Sequence, residues 1–197
     1  MTSPLDQLSE RIHELQAALE AELEEKRSVF RYGFDRRKVV FEEEVLARHR
    51  AARETLTSFL ARTRLLVVVT APLIYVLIVP LVLLDLFVSL YQAVCFPVYG
   101  IAKVRRRDHI VIDRHHLAYL NALQKLNCVY CGYANGLIGF VREVAARTEA
   151  HWCPIKHASR TADPHSAYVR FSDFGDEQSF QKRTQAQRSA GPNAASD

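Results

Sequence analysis

A mainly α-helical fold is predicted for this chain of 197 residues: long N-terminal helices, a membrane helical hairpin and a small helical Cys/His metal domain. Three observations predict it. Leucines recur every three or four positions through the N-terminal segment, the 38 residues between Arg64 and Lys103 hold one charge, and the cysteines beyond them have metal-ligand spacing. The segments read as 1–64 helical, 65–102 membrane, 103–160 Cys/His domain, 161–188 a short extension and 189–197 a disordered tail. An apolar fraction of 49% with 24% charged residues excludes a wholly disordered chain, and seven glycines with seven prolines exclude a collagen-like one. The net charge of +4 is too small to argue for nucleic acid, so none is expected as a partner.

The first helix is expected over Pro4 to Arg31, opened by Ser3 as cap and Pro4 in the first turn. Leu5, Leu8, Ile12, Leu15, Leu19 and Leu23 form a narrow apolar seam on a polar helix. Such a seam packs within its own domain or forms a coiled coil with a second copy, a possible homo-oligomer contact. Gly33 and the Arg36, Arg37, Lys38 cluster interrupt it. A second helix is expected from Lys38 to Arg64, with Arg48, Arg50, Arg53, Arg62 and Arg64 in its last two thirds.

The block Leu65–Ala102 then reads as membrane-inserted, because Leu65 to Leu84 alone supplies 20 uncharged residues. As one helix the block would be about 57 Å long, against a hydrocarbon core of about 30 Å. Arg62 and Arg64 precede it, and Lys103, Arg105, Arg106 and Arg107 follow it. Basic flanks at both ends favour one cytoplasmic side and a membrane-surface role for these six residues. That points to a hairpin with legs Leu65–Val82 and Leu86–Ala102 and Asp85 at its turn. The alternative is a single span over Leu65–Leu84 followed by an interfacial helix carrying Tyr91, Phe96 and Tyr99. Cys95 reads as apolar filling.

His109–Asp113 has strand-like character, Arg114–Leu126 a short helix, and Gly132–Glu149 a second one. Cys128 and Cys131 are expected at the end of the first of these helices. The pattern C-x2-C, 21 residues, C-x3-H offers Cys128, Cys131, Cys153 and His157 as a tetrahedral shell. His151 and His116 are substitute fourth ligands. Zinc suits a closed shell of three thiolates and an imidazole, and iron is the alternative. Gly132, Gly136 and Gly139 would permit close packing or simply loosen the helix start. The N-terminus lacks the basic and apolar regions of a secretory signal, so the four cysteines are expected to be reduced in a cytoplasmic setting.

Cys128-Val-Tyr-Cys131-Gly-Tyr and Trp152-Cys153-Pro154 resemble the two cysteine arms of rubredoxins, with a longer helical insert and His157 in place of a fourth cysteine. Asp113–Asn121, Leu126–Cys131, Tyr133–Ile138, Val141–Glu143 and Trp152–His157 resemble a group of bacterial inner-membrane proteins. That resemblance implies a bacterial source and a cell inner membrane, with no activity attached. Beyond His157, Ala167–Phe171 is expected as a short strand and Asp176 as the cap of a helix reaching Phe180.

No P-loop, dinucleotide fingerprint, HExxH or nucleophile elbow occurs, and the Glu42–Glu44 run reads as a solvated face. The expectation is therefore a cytoplasm-facing, membrane-anchored metal protein with a structural, scaffolding or sensory role rather than an enzyme. A membrane-tethered iron redox protein and a thiol–disulfide exchange protein are the alternatives.

Overall fold

A computed structural model describes residues 4–35 and 38–189, with the side chains of 4–6, 8, 9, 34, 35, 38 and 187–189 outside the description. Ser3, the side chains of Leu5 and Leu8, Arg36, Arg37 and the tail 190–197 therefore lie outside the described residues. The fold is mainly helical. The chain divides into two compact units, residues 1–62 with 113–126, and residues 63–112 with 127–197.

In the first unit, α1 spans Pro4–Phe30, as its periodicity predicts. Its seam residues Ile12, Leu15, Leu19 and Leu23 are all exposed. The expected helix over Lys38–Arg64 is not continuous. Tyr32–Asp35 (β1) and Lys38–Phe41 (β2) form an antiparallel hairpin, with Tyr32 opposite Phe41 and Gly33 opposite Val40. Tyr32 and Phe34 alternate with Gly33 and Asp35, and Val39, Val40 and Phe41 are β-branched or aromatic, a composition that fits a pleated ribbon. Two shorter helices follow, α2 over Glu43–Ala51 and α3 over Leu56–Arg62. The Thr55 hydroxyl accepts a hydrogen bond from the Ser58 amide at 3.3 Å, so a new N-cap starts α3 and breaks the run.

Residues 113–121 complete this unit. The strand expected at His109–Asp113 does not form, and the helix expected at Arg114–Leu126 is helical only from Ala122, after a 3-10 turn at Arg114–His116 and a cap at Asn121. Asn121 Oδ1 accepts from the Gln124 amide, and Gln124 Oε1 accepts from the Asn121 amide, both at 2.9 Å. This reciprocal capping box fixes where the next long helix begins.

The second unit is organised on the apolar block. Leu65–Val76 (α4) and Ile78–Tyr99 (α5) follow one another with only Leu77 between them. Pro80 has no N–H for the Val76 carbonyl, which accounts for the boundary at that point. Leu77 keeps right-handed helical angles, so Leu65–Tyr99 is helical for 35 residues. The hairpin turn expected at Asp85 is absent. Asp85 lies inside α5, because Leu84, Asp85 and Leu86 carry neither a proline nor a glycine that would favour a reversal.

After Gly100, left-handed at φ 68°, the chain turns back along α5. Gln92 grips this returning segment as a neighbouring strand would. Its Nε2 donates to the Val104 carbonyl at 3.2 Å, and its Oε1 accepts from the Val104 amide at 2.6 Å. A short helix, α6 over Arg106–His109, follows. The 31-residue α7 then runs from Ala122 to Trp152 without interruption. Its second-unit part is parallel to the apolar helices. Tyr130 donates to the Ile74 carbonyl at 2.9 Å, Tyr91 and Thr148 hydroxyls meet at 3.1 Å, and the Tyr99 and Trp152 rings stand edge to face at 5.3 Å. Phe96, Val104, Leu137, Phe140 and Val144 form the buried core between these elements. Each fully buried side chain of this size contributes about 1.5–3 kcal/mol.

Gly136 explains how the returning segment reaches α7. A Cβ there would lie 2.7 Å from the His109 carbonyl oxygen and 2.7 Å from Ile110 Cα. Only a residue without a side chain lets these two backbones cross at that distance. Near the C-terminus, Ser166–Arg170 forms a 3-10 turn where a strand is expected, and the extended pairing shifts to a bridge between Ile155 and Ser172. Helix α8 spans Glu177–Ser189, and Asp176 caps it by accepting from the Ser179 amide at 3.0 Å.

Candidate functional site

Cys128 and Cys131 sit in the early turns of α7, one helical turn apart, and Cys153 directly follows that helix. The Cys153 amide still donates to the Glu149 carbonyl at 2.8 Å, so helical bonding continues to that residue. Twenty-two residues of helical rise separate Cys131 from Cys153, or about 33 Å at 1.5 Å per residue. Zn–S bonds are about 2.3 Å, so one ion cannot bridge these arms within a chain. The expected shell of Cys128, Cys131, Cys153 and His157 is therefore not assembled, and iron on the same three thiolates meets the same obstacle. Among the described residues, no three His, Cys, Asp or Glu side chains are grouped to hold an ion.

The substitute ligands are also dispersed. The His151 ring stacks on Tyr99 at 5.7 Å, the His157 ring lies against Tyr168 at 6.0 Å, and His116 neighbours His115 at 4.0 Å in the other unit. The continuity of α7 is the physical cause. The capping box starts it before Cys128, and the glycines expected to loosen it are held by packing of the returning segment across Gly136. Protein purified from zinc-supplemented culture is expected to carry well under one zinc per chain. Elemental analysis checks this, and stoichiometric zinc lost in Cys128→Ser would reverse it.

The densest polar constellation lies at Asp85. Its carboxylate accepts from Arg106 Nε at 3.0 Å, from the Tyr133 hydroxyl at 3.0 Å and from Ser89 Oγ at 3.3 Å. The Asp85 side chain is 13% exposed, so these donors replace most of its water. The hydrogen bond to Asp85 raises the Arg106 pKa, and burial, then the bond to Asp85, raises that of the Tyr133 phenol. Both groups keep their protons at neutral pH. With every acceptor direction supplied, the cluster offers no free nucleophile or open ligand position, and it acts as a clamp joining α5, α6 and α7.

The expectation of a turn passed over this clamp, although its signature is present. Asp85, Ser89 and Gln92 recur at spacings of four and three, one polar stripe on an apolar helix. Removing the carboxylate by Asp85→Ala leaves Arg106 and Tyr133 without their acceptor and is expected to cost about 1–3 kcal/mol. In a double-mutant cycle with Arg106→Met, the second change is expected to cost much less in the Asp85→Ala background than alone. Additive losses in thermal or denaturant unfolding would contradict the clamp.

The six basic residues expected at a membrane surface fall into two sets. Arg62 pairs with Glu54 at 2.8 Å, Arg105 with Asp108 at 2.8 Å, and Arg106 with Asp85. Arg107 stands 3.9 Å from Asp108, while Arg64 and Lys103 are exposed. Comparison with protein-family models, with curated proteins and with solved structures finds no match.

Proposed function

We propose that this chain is a membrane-anchored scaffold, held along an inner-membrane surface by α4 and α5 with its polar parts on the cytoplasmic side. One observation carries this reading: α5 has two opposite faces along its length, and α4 is apolar and exposed all round. Leu81, Asp85, Val88, Gln92 and Phe96 face the clamp and the core. Offset by half a turn, Val79, Leu83, Leu86, Leu90, Val94 and Val98 form an exposed aliphatic face, and Leu65 to Val69 are exposed as well.

Bare apolar surface, on every side of α4 and on one face of α5, extends from Leu65 to Val98, about 50 Å along a helix axis. This exceeds the hydrocarbon core by about 20 Å, so an upright span leaves much of it in water. On the covered flank, exposed Arg105 and Arg107 stand beside the residue that reaches Asp85. A bare aliphatic side opposite a charged one favours a helix lying in the interface over one crossing it. The basic flanks Arg62, Arg64, Lys103 and Arg105 would then share one side, near anionic head groups. The exposed residues Ile12, Leu15, Leu19 and Leu23 of α1, spaced by three or four, supply a seam for a second copy, which fits a scaffold.

Impermeant maleimide labelling of sealed vesicles tests the topology. Single cysteines at Ser58 and Asp108, in a chain whose own cysteines are replaced by serine, are expected to label in the same vesicle orientation. Labelling in opposite orientations would establish a single span instead, and recovery of the chain in the soluble fraction would end the anchoring proposal.

A further inference from the structure

The unit formed by residues 1–62 and 113–126 holds a cavity of about 400 Å3. That is within the size range of small-molecule sites, and its walls are mostly aromatic. The cross-strand pair Tyr32 and Phe41 forms one side, with ring centroids 5.7 Å apart. His49 stands edge to face between Phe41 at 5.1 Å and Tyr119 at 5.0 Å, and Phe30, the last residue of α1, also lines the cavity.

Four polar residues, His49, Asp113, Arg114 and His116, break this apolar lining. The Nδ1 atom of His49 is buried and has no hydrogen-bond partner. Asp113 and Arg114, consecutive in the chain, also line the cavity, and neither side chain makes a hydrogen bond or ion pair among the described residues. Unsatisfied buried polar atoms are uncommon in folded proteins, and their grouping with unpaired charges in one hollow suggests an occupant.

From this grouping we infer that the cavity binds a small aromatic zwitterion, with a planar ring among the aromatic walls, its carboxylate on Arg114 and its ammonium on Asp113. The guanidinium fork matches a carboxylate in plane, and edge-to-face aromatic walls suit a flat ring. A purely anionic ligand would face Asp113, and a purely cationic one Arg114, so both signs are needed for full complementarity. A ring nitrogen or hydroxyl on the ligand would reach the free Nδ1 of His49.

Titration calorimetry on the full-length chain in detergent tests this, with L-tryptophan, L-tyrosine and L-phenylalanine as probes. At least one is expected to bind, with tryptamine and indole-3-propionate at least tenfold weaker than L-tryptophan. Arg114→Gln is expected to weaken the amino acid tenfold or more without weakening tryptamine, and Asp113→Asn is expected to do the same without weakening indole-3-propionate. Arg114 is exposed and Asp113 half-buried, and an unchanged circular dichroism spectrum separates lost binding from lost folding. Val39→Trp, which fills the hollow, is expected to abolish binding. Absence of binding by all three amino acids, analogues that bind as tightly as L-tryptophan, or indifference to substitution of both Asp113 and Arg114 overturns the inference.

Discussion

Gly136→Val is expected to be among the most damaging single substitutions in the second unit, costing about 3 kcal/mol or more and removing the cooperative unfolding of its core. The Cβ alone would sit 2.7 Å from two backbone atoms of the returning segment, His109 O and Ile110 Cα. Backbone cannot rotate out of the way as a side chain can, so relief requires moving the 109–110 crossing off α7. That movement strains the Asp85–Arg106 pair and the Gln92–Val104 bonds, which belong to the same segment. Gly33→Val is the matched control. Nothing lies within 4 Å of a Cβ there, the position is in a β-strand, and valine favours strands. Unfolding monitored by circular dichroism is therefore expected to show a large loss for Gly136→Val and little or none for Gly33→Val. Equal losses would mean the crossing is not tight.

The triple substitution Leu83→Lys, Leu86→Lys, Leu90→Lys is expected to release the chain from membranes while leaving its core intact. These leucines are 49%, 60% and 58% exposed, on the face of α5 opposite the core, so their replacement removes no internal packing. Each contributes about 1.5–3 kcal/mol when an apolar side chain leaves water, and three together change partitioning by a thousandfold or more. Vesicle flotation measures this directly. High-salt washing of the unsubstituted chain is expected to leave it bound, because salt screens the arginines but not the aliphatic face. Flotation of the triple variant at the original level would show that this face does not meet lipid.

Some parts of the architecture are local, and they are legible in residue order. The seam of α1 repeats within each pair of turns, the apolar block excludes charge over a length no loop tolerates, and Asp176 with Ser179 is a cap formed within four residues. The 38–64 stretch was less legible. Its leucines and arginines suit a helix, yet the Tyr32–Phe41 hairpin and the Thr55 cap divide it, and short-range signals of both kinds coexist there. The cysteine spacing was legible as a pattern and misleading as a site. C-x2-C and C-x3-H state how many residues separate the arms and leave open whether the intervening chain folds back or extends.

From the sequence alone came the helical class, the long apolar segment and the basic residues at its ends, since each depends on neighbours within a few positions. Tertiary structure decided that α7 is one rod that keeps Cys131 and Cys153 apart, that α5 runs through Asp85, and that Arg106 returns to it across 21 positions of sequence. The physical reason is that helix continuity through glycines depends on what packs against them. At Gly136 that partner is the backbone of His109 and Ile110, whose arrival is set by Gln92 and Asp85 on a different helix.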